Sequence, residues 1–247
     1  MSSPGNVYYL PPEDGDRLDP LKGDRPHVLL NANADRTGFA NLAYGSTKET
    51  EAAWGAAHVV VDPNREGGRT TGLSRLTHVY LSRLVTYELA DLPAPSGRLS
   101  RPLPLLRWAL ASALGLGTGV TTEPNGRGAN RRRRIAQLAE DAAELLGTRE
   151  ALVVTEPAYS RTSRYQTLVP ILAADEFEAA ELDILVRSPG WLDSPAGTGG
   201  DRLIAVSLVA TVFESQSISR YLDSVTDALT MRRVDEALRT HFSIEHK

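Results

Sequence analysis

The residues best suited to chemistry on a charged substrate are an arginine and a histidine near the N-terminus. Arg25 and His27 stand two positions apart in a β-prone segment. On a strand, side chains at that spacing point to the same face. A guanidinium keeps its charge and offers a planar fork of donors to an oxyanion, whereas an imidazole transfers protons near neutral pH. Two interpretations stay open: a catalytic pair, or a solvated arginine beside a hydrogen-bonded structural histidine.

A second group of cations lies in the middle of the chain and is suited to phosphate contacts. Its members are Arg127, Arg131, Arg132, Arg133, Arg134 and Arg149. We predict that they hold an RNA backbone, because each arginine–phosphate contact adds salt-dependent affinity. The competing interpretation is the solvated start of a helix, since the pattern of apolar residues after Arg131 predicts a helix through Leu146.

These residues are carried by what looks like the same module twice. Gly23–Leu30 and Gly147–Val154 share a glycine, an arginine two positions later and an apolar run. Leu84–Thr86 likewise resembles Val209–Thr211. The offset between the copies changes little along the chain, which indicates a repeat with small loop differences. We therefore predict a first domain over 1–118, a basic linker over 119–134 and a second domain over 135–247.

Each predicted domain contains several short strands and ends in a helix. The strands expected first are Val7–Leu10, His27–Asn31, Phe39–Tyr44, His58–Asp62 and Thr77–Val85, with a polar loop over Glu13–Asp24 and a helix over Arg98–Leu116. The second set is Ala151–Thr155, Tyr165–Leu172, Leu182–Val186 and Leu203–Phe213, then a helix over Ser224–His241. This order predicts a mainly β fold with α-helices, namely two small β-barrels, each with a C-terminal helix.

Composition narrows the function classes. The net charge is −4, so the chain has no global positive field to gather nucleic acid, and any such binding needs a local patch. There is no cysteine, which excludes disulfides and thiolate metal sites. No apolar run is long enough to span a membrane, and the N-terminus lacks the pattern of a signal peptide. We expect a cytoplasmic protein that does not bind membranes.

The order of motifs resembles the MazF/PemK family of toxins. The likeness is carried by Gly5–Leu10, Gly23–Leu30, Thr77–Thr86 and Gly97–Ser100 in the first copy, and by Thr155–Ser160, Val169–Ile171 and Met231–Leu238 in the second. The resemblance implies SH3-like barrels, a homodimer-type arrangement, an antitoxin partner, and RNA cleavage without a metal or other cofactor.

The resemblance also implies which residues act. By position, Arg25 matches the family's catalytic arginine and Thr47 its catalytic threonine, with Ser46 as the alternative if the register slips by one. Thr47 could equally be a turn or helix-capping residue. In the second copy Arg149 matches the arginine, but Glu150 adds a negative charge beside it. The threonine position falls on Leu172, which has no hydroxyl, so this copy is expected to be degenerate.

Three functions follow as hypotheses. The first is a metal-independent endoribonuclease that cleaves single-stranded RNA, its two modules forming an intramolecular pseudo-dimer that could associate further. The second is an inactive module that binds a protein partner, such as an antitoxin, a gyrase-like target or a defence-system component. The third is a regulatory or defence protein in which the second copy inhibits the first.

Overall fold

The structure, a computed structural model, describes residues 2–10, 24–47, 57–65, 67–99, 103–116, 131–156, 165–187, 200–225 and 227–244. Residues 2–116 are called the N-terminal half and residues 131–244 the C-terminal half. Most of the predicted loop over Glu13–Asp24, and Arg127 of the predicted linker, lie outside the described residues.

The N-terminal half is an antiparallel sheet followed by a helix. Its elements are β1 (Asn6–Leu10), β2 (Arg25–Leu29), α1 (Ala34–Thr37), β3 (Phe39–Ser46), β4 (His58–Val61), β5 (Thr77–Glu88), a 3₁₀ turn (Leu89–Asp91), β6 (Gly97–Arg98) and α2 (Leu103–Ala113). The strand order is β4-β5-β3-β2-β1-β6. Helix α2 buries Leu106 and Leu110 in the core, as the three-and-four spacing of its leucines predicts.

The C-terminal half repeats this plan with a broken long strand. Its elements are β7 (Arg134–Leu138), α3 (Glu140–Leu146), β8 (Glu150–Val153), β9 (Tyr165–Ala173), β10 (Ile184–Val186), β11 (Arg202–Ile204), a 3₁₀ turn (Val206–Leu208), β12 (Ala210–Phe213), α4 (Glu214–Ser217), β13 (Ile218–Ser224) and α5 (Ala228–His241). The order is β10-β11-β9-β8-β7-β13, and β12 also pairs with β9. The predicted class, mainly β with helices, is confirmed.

The hydrogen-bonding pattern of the two sheets corresponds position by position. Gly5 N–H donates to the Leu29 carbonyl, and Arg133 N–H donates to the Val153 carbonyl. Both donors have positive φ, 90° for Gly5 and 73° for Arg133. An L-residue in the left-handed region carries a steric cost of about 1–2 kcal/mol, which glycine avoids. The second copy therefore retains the backbone geometry without the glycine.

The helix predicted from Arg131 to Leu146 is wrong in its first part. Arg134–Leu138 is strand β7, which pairs with β8, and helix α3 begins only at Glu140. The positive φ of Arg133 interrupts any helix there. Ile135 and Leu138 fit a helical spacing, but strand pairing on both sides of β7 overrides this local pattern.

Other predicted boundaries change as well. A 3₁₀ turn (Val206–Leu208) divides the strand expected over Leu203–Phe213, and the last helix begins only at Ala228, because Ser224 belongs to β13. The predicted helix over Arg98–Leu116 is shorter, because Arg98 belongs to β6 and pairs with Asn6. Strand β3 continues through Gly45 and Ser46, which were expected to end it. Of the helices in the described part of the chain, none has the length and apolar character that crossing a membrane requires.

The two halves share one core. A single cluster of buried side chains includes Val28 and Leu110 of the N-terminal half together with Ile135 and Val169 of the C-terminal half. Hydrogen bonds also cross between the sheets. Leu84 N–H donates to Thr211 Oγ1 (2.9 Å), and Thr86 Oγ1 donates to the Val209 carbonyl (2.6 Å). The halves are therefore packed together through apolar and polar contacts.

Helix α5 is tied to the N-terminal half by a buried polar network around His241. Asn41 Nδ2 donates to Thr86 Oγ1 (2.8 Å) and to the Ser207 carbonyl (3.1 Å), so Asn41 Oδ1 is the atom that faces His241 Nε2. Asn33 Nδ2 lies 3.2 Å from His241 Nδ1. These partners fit the neutral imidazole with its hydrogen on Nε2. Burial lowers the pKa of His241 to about 4, which favours the same neutral form.

Candidate active site

One face of the N-terminal sheet carries most of its polar and aromatic groups. On each of four neighbouring strands, alternate residues leave the shared core and point to this opposite face. We call it the polar face; its residues are Arg25, His27, Tyr44, Ser46, His58, His78 and Tyr80. The residues between them, including Val28, Ala43 and Val79, belong to the shared core. Strand alternation therefore groups imidazoles, hydroxyls and a guanidinium in one place.

The rings on this face form a row across the sheet. His27 pairs with Tyr44, Tyr44 with Tyr80, and Tyr80 with His58. Successive ring centroids lie 5.6, 6.4 and 6.0 Å apart. His78 joins the row, 5.7 Å from His58 and 6.3 Å from Tyr80. Aromatic contacts of this kind orient each imidazole by its neighbours.

A second arginine reaches the row from β5. The Arg83 guanidinium lies 5.3 Å from the Tyr44 ring centre and 5.8 Å from that of Tyr80. Its shortest ring contact, 4.1 Å, is with Tyr165 on β9 of the C-terminal half. These distances are in the range of cation–π attraction. Arg83 and Tyr165 therefore connect the polar face to the other half.

Arg25 lies at the start of β2 and is half-buried. Extending the β2–β3 register by two residues sets it opposite Ser46. The strands approach closely between them, because a Cβ on Gly45 would lie 2.8 Å from the Pro26 carbonyl oxygen. Within the described residues, Arg25 Nε is buried and has no hydrogen-bond partner. A buried unsatisfied donor of this kind is suited to an anionic ligand.

The two predicted hydroxyls occupy different environments. Ser46 shares the polar face with Arg25 and is 4% exposed. Thr47 follows the end of β3, in a bend, and is exposed. The geometry thus groups Ser46 with Arg25, whereas Thr47 lies beyond the strand.

The tautomer of His27 follows from its hydrogen bond. His27 Nδ1 lies 3.0 Å from the Arg25 carbonyl oxygen, which can only accept, so Nδ1 carries the hydrogen. In the neutral ring Nε2 is then the basic nitrogen. His27 is 0% exposed, whereas His58 on the same face is half-buried. His58 is therefore the more accessible imidazole of the row.

The corresponding face of the C-terminal half is largely apolar. By strand register, Ala151 corresponds to His27, Pro170 to Tyr44 and Leu172 to Ser46. Leu203 and Ala205 likewise take the positions of His78 and Tyr80. Leu172, Leu203 and Ala205 form a buried apolar cluster.

In the strand register, Leu172 corresponds to Ser46 and Ala173 corresponds to Thr47. The expected match of Leu172 with Thr47 is therefore off by one residue. Neither Leu172 nor Ala173 has a hydroxyl, so the expected loss of that group from the second copy still follows.

Arg149 is exposed and lies just before β8. Glu150 follows it as the first residue of the strand. Burial raises the pKa of Glu150, and the charge that opposes this shift is Arg202 on β11. Arg202 thus stabilises the charged form of Glu150, and a competition of Glu150 with phosphate for Arg149 stays a prediction.

Three of the predicted RNA-binding arginines are held by protein groups. Arg131 forms a salt bridge with Glu214 (2.5 Å), and Arg134 donates to the Leu222 carbonyl (2.9 Å). Arg132 donates to Asp235 (2.7 Å) and to the carbonyls of Leu114 and Val154. Burial lowers the pKa of Arg132, although Asp235 opposes the shift. These contacts favour a structural role for Arg132.

Arg133 is exposed, as is Arg149. Of the cations expected to bind RNA, these two therefore have the most accessible side chains in the described part of the chain.

Most residues of the polar face were not predicted from the sequence. No chemical role was assigned to His58, His78, Tyr44, Tyr80 or Arg83. The signal was present, since Tyr44–Ser46 and His78–Tyr80 repeat the two-residue spacing of Arg25–His27. In the described ranges, no group of three or more histidines or carboxylates is placed to hold a metal ion.

No protein-family model matches the chain, and a search of curated proteins finds no similar sequence. Among solved structures, the chain is similar to an endoribonuclease in complex with its cognate antitoxin from a mycobacterial species. That likeness has 20% identity and a TM-score of 0.36, and it covers 48% of this chain and 100% of the other. The chain is also similar to the Mycobacterium tuberculosis toxin MazF-mt6, with 20% identity, a TM-score of 0.31, and coverage of 44% and 92%. The assignment of function depends on the residues of this chain.

Proposed function

We propose that the protein is a metal-independent endoribonuclease that cleaves single-stranded RNA at one site, the polar face of the N-terminal half. The observation that carries this proposal is the contrast between equivalent positions. Where the C-terminal half has the apolar cluster of Leu172, Leu203 and Ala205, the N-terminal half has a serine, a histidine and a tyrosine. Hydroxyl and imidazole groups can bind a phosphate and transfer protons, so their presence in one copy supports a chemical role there.

The residues fit cleavage through the 2′-hydroxyl. The 2′-oxygen attacks the adjacent phosphorus, its proton passes to a base, and the 5′-oxygen leaves with a proton from an acid, giving a 2′,3′-cyclic phosphate. Arg25 stabilises the charge that develops on the phosphoryl oxygens, and its orphaned Nε is one donor for them. His58 is the accessible group for proton transfer. His27 orients Tyr44 and the Arg25 backbone, and Ser46 or Thr47 donates to the phosphate.

We propose further that the two halves act as an intramolecular pseudo-dimer, with domains over 1–118 and 135–247. Two reciprocal hydrogen bonds support this arrangement. By strand register, Leu84 and Thr86 correspond to Val209 and Thr211. Each half thus contributes a threonine hydroxyl to the equivalent residue of the other: Thr211 accepts from the Leu84 N–H, and Thr86 donates to the Val209 carbonyl. Such exchange is the signature of a two-fold interface.

The cleavage proposal is tested with a single-stranded RNA oligonucleotide in EDTA. We expect cyclic-phosphate products from RNA and none from the same sequence with 2′-deoxyribose, because the nucleophile is then missing. His58→Gln should lower the cleavage rate more than His27→Gln, because His58 is the more accessible imidazole. Cleavage of the 2′-deoxy strand, or activity that EDTA abolishes, would contradict the mechanism.

A cleft between the halves favours a second candidate, the binding of a protein partner such as an antitoxin. The cleft has a volume of about 510 Å³, and its lining includes Phe39, Leu145 and Phe177 together with Glu88 and Glu144. A lining of apolar and acidic residues suits a segment that presents apolar and basic side chains. This function would be favoured if the wild type captures a stoichiometric protein partner, Phe177→Asp does not, and the wild type cleaves no RNA. We would expect such a partner in the cytoplasm.

A further inference from the structure

We infer that Arg83 is a second phosphate-binding cation of the site and that Tyr165 of the C-terminal half holds it in place. This inference rests on the proposed function and extends it to a residue pair that crosses the two halves. It gives the C-terminal half a specific task in RNA binding, although that half has no equivalent polar face.

The geometry keeps the guanidinium on ring faces. Arg83 lies 4.1 Å from the Tyr165 ring centre and within 6 Å of the centres of Tyr44 and Tyr80. Tyr165 is itself supported edge-on by Phe213, at 5.4 Å. A guanidinium over a ring face interacts through its charge, and its N–H bonds lie in its own plane, where they can donate to other acceptors. A planar fork held in this way suits the oxygens of a phosphate.

Arg83 belongs to the same surface as the predicted catalytic groups. Tyr44 separates it from His27 in the ring row, and Ser46 is the next residue of β3 on that face. Arg83 is half-buried, so solvent reaches part of it. Arg25 and Arg83 lie on one face and can contact two phosphates of one RNA strand. The ring row described above lies between them.

The positions in the pseudo-dimer that are equivalent to Arg83 and Tyr165 disfavour a purely structural role for Arg83. By strand register, Leu208 occupies the position of Arg83 and Phe39 that of Tyr165. Both residues line the apolar cleft between the halves. The equivalent part of the interface is thus formed without a cation, so packing of the halves does not require one at residue 83.

The test uses the full chain and fluorescent single-stranded RNA, with binding measured over a range of salt concentrations. Arg83→Gln should weaken binding about tenfold and reduce the slope of log K against log salt by about 0.7, the value of one phosphate contact on a single strand. Tyr165→Leu should lose part of the affinity, and Tyr165→Phe, which keeps the ring, should behave as wild type. Arg83→Lys should keep the salt slope but raise the Kd, because the ammonium lacks the planar fork of donors.

A second measurement on the unaltered protein avoids any dependence on variant folding. Arginine modification by phenylglyoxal, mapped by mass spectrometry, should show Arg83 protected when RNA is bound. Equal reaction of Arg83 with and without RNA, or an Arg83→Gln variant that folds and keeps the wild-type salt slope, overturns the inference.

These outcomes separate the two proposals. Cleavage by the wild type with an unprotected Arg83 contradicts this inference alone. RNA binding with a protected Arg83 but no cleavage contradicts the proposed nuclease activity and supports the binding role. If the wild type neither binds nor cleaves RNA, both fall.

Discussion

Acidification should weaken the attachment of helix α5 to the N-terminal half through protonation of His241. The neutral ring accepts a hydrogen bond from Asn33 at Nδ1 and donates one to Asn41 from Nε2. A proton on Nδ1 would set two donors against each other in a site without solvent, because His241 is fully buried. The opposed donors and the burial both disfavour the charged imidazole of His241.

The magnitude follows from the pKa of His241, which falls from 6.5 to about 4 on folding. Between these values the unfolded chain binds more protons than the folded one, so stability decreases as the pH falls. The contribution is complete above the unfolded pKa and is lost progressively towards the folded pKa. At pH 5 the loss is about 2 kcal/mol, and well below the folded pKa it reaches about 3 kcal/mol.

Urea unfolding of the wild type and His241→Gln over this pH range measures the effect. Glutamine takes up no proton, so the difference in unfolding free energy between the proteins should shrink as the pH is lowered from 7 to 4. The variant is the less stable of the two at pH 7, because it loses part of the network. A difference that stays constant with pH would refute the reasoning.

Three further predictions concern stability. Thr86→Val and Thr211→Val should each lower the unfolding free energy by about 1–3 kcal/mol in urea, because each leaves buried groups unpaired; losses below about 0.5 kcal/mol would count against the reciprocal contacts. Arg132→Met should cost about 3 kcal/mol in the same assay, and a variant as stable as wild type would argue for a free, RNA-binding side chain. Arg133→Gly should be neutral or stabilising by up to about 1 kcal/mol, whereas Gly5→Ala should destabilise by about 1–2 kcal/mol. Thermal melts that show the reverse order would contradict the equivalence of the two positive-φ positions.

Most strands could be predicted because alternation and turn residues are local signals. Strand β7 could not, since Ile135 and Leu138 also fit a helix and only pairing with β8 and β13 decides between them. The polar face was found only in part. Arg25 and His27 share a strand, but their grouping with His58 depends on a sheet order that brings together residues distant in sequence. Tyr165 was beyond reach because it comes from the other half.

The central claim is that one half carries the active site, and two matched substitutions test it most directly. Arg25 and Arg149 hold the same position in the two copies. Single-turnover cleavage of single-stranded RNA in EDTA should fall by about 10²–10³ for Arg25→Ala, the usual effect of removing one oxyanion donor. Arg149→Ala should stay within about twofold of wild type, since Ala151 and Leu172 stand where His27 and Ser46 lie beside Arg25. Equal losses for the two variants, or no loss for Arg25→Ala, would contradict the account.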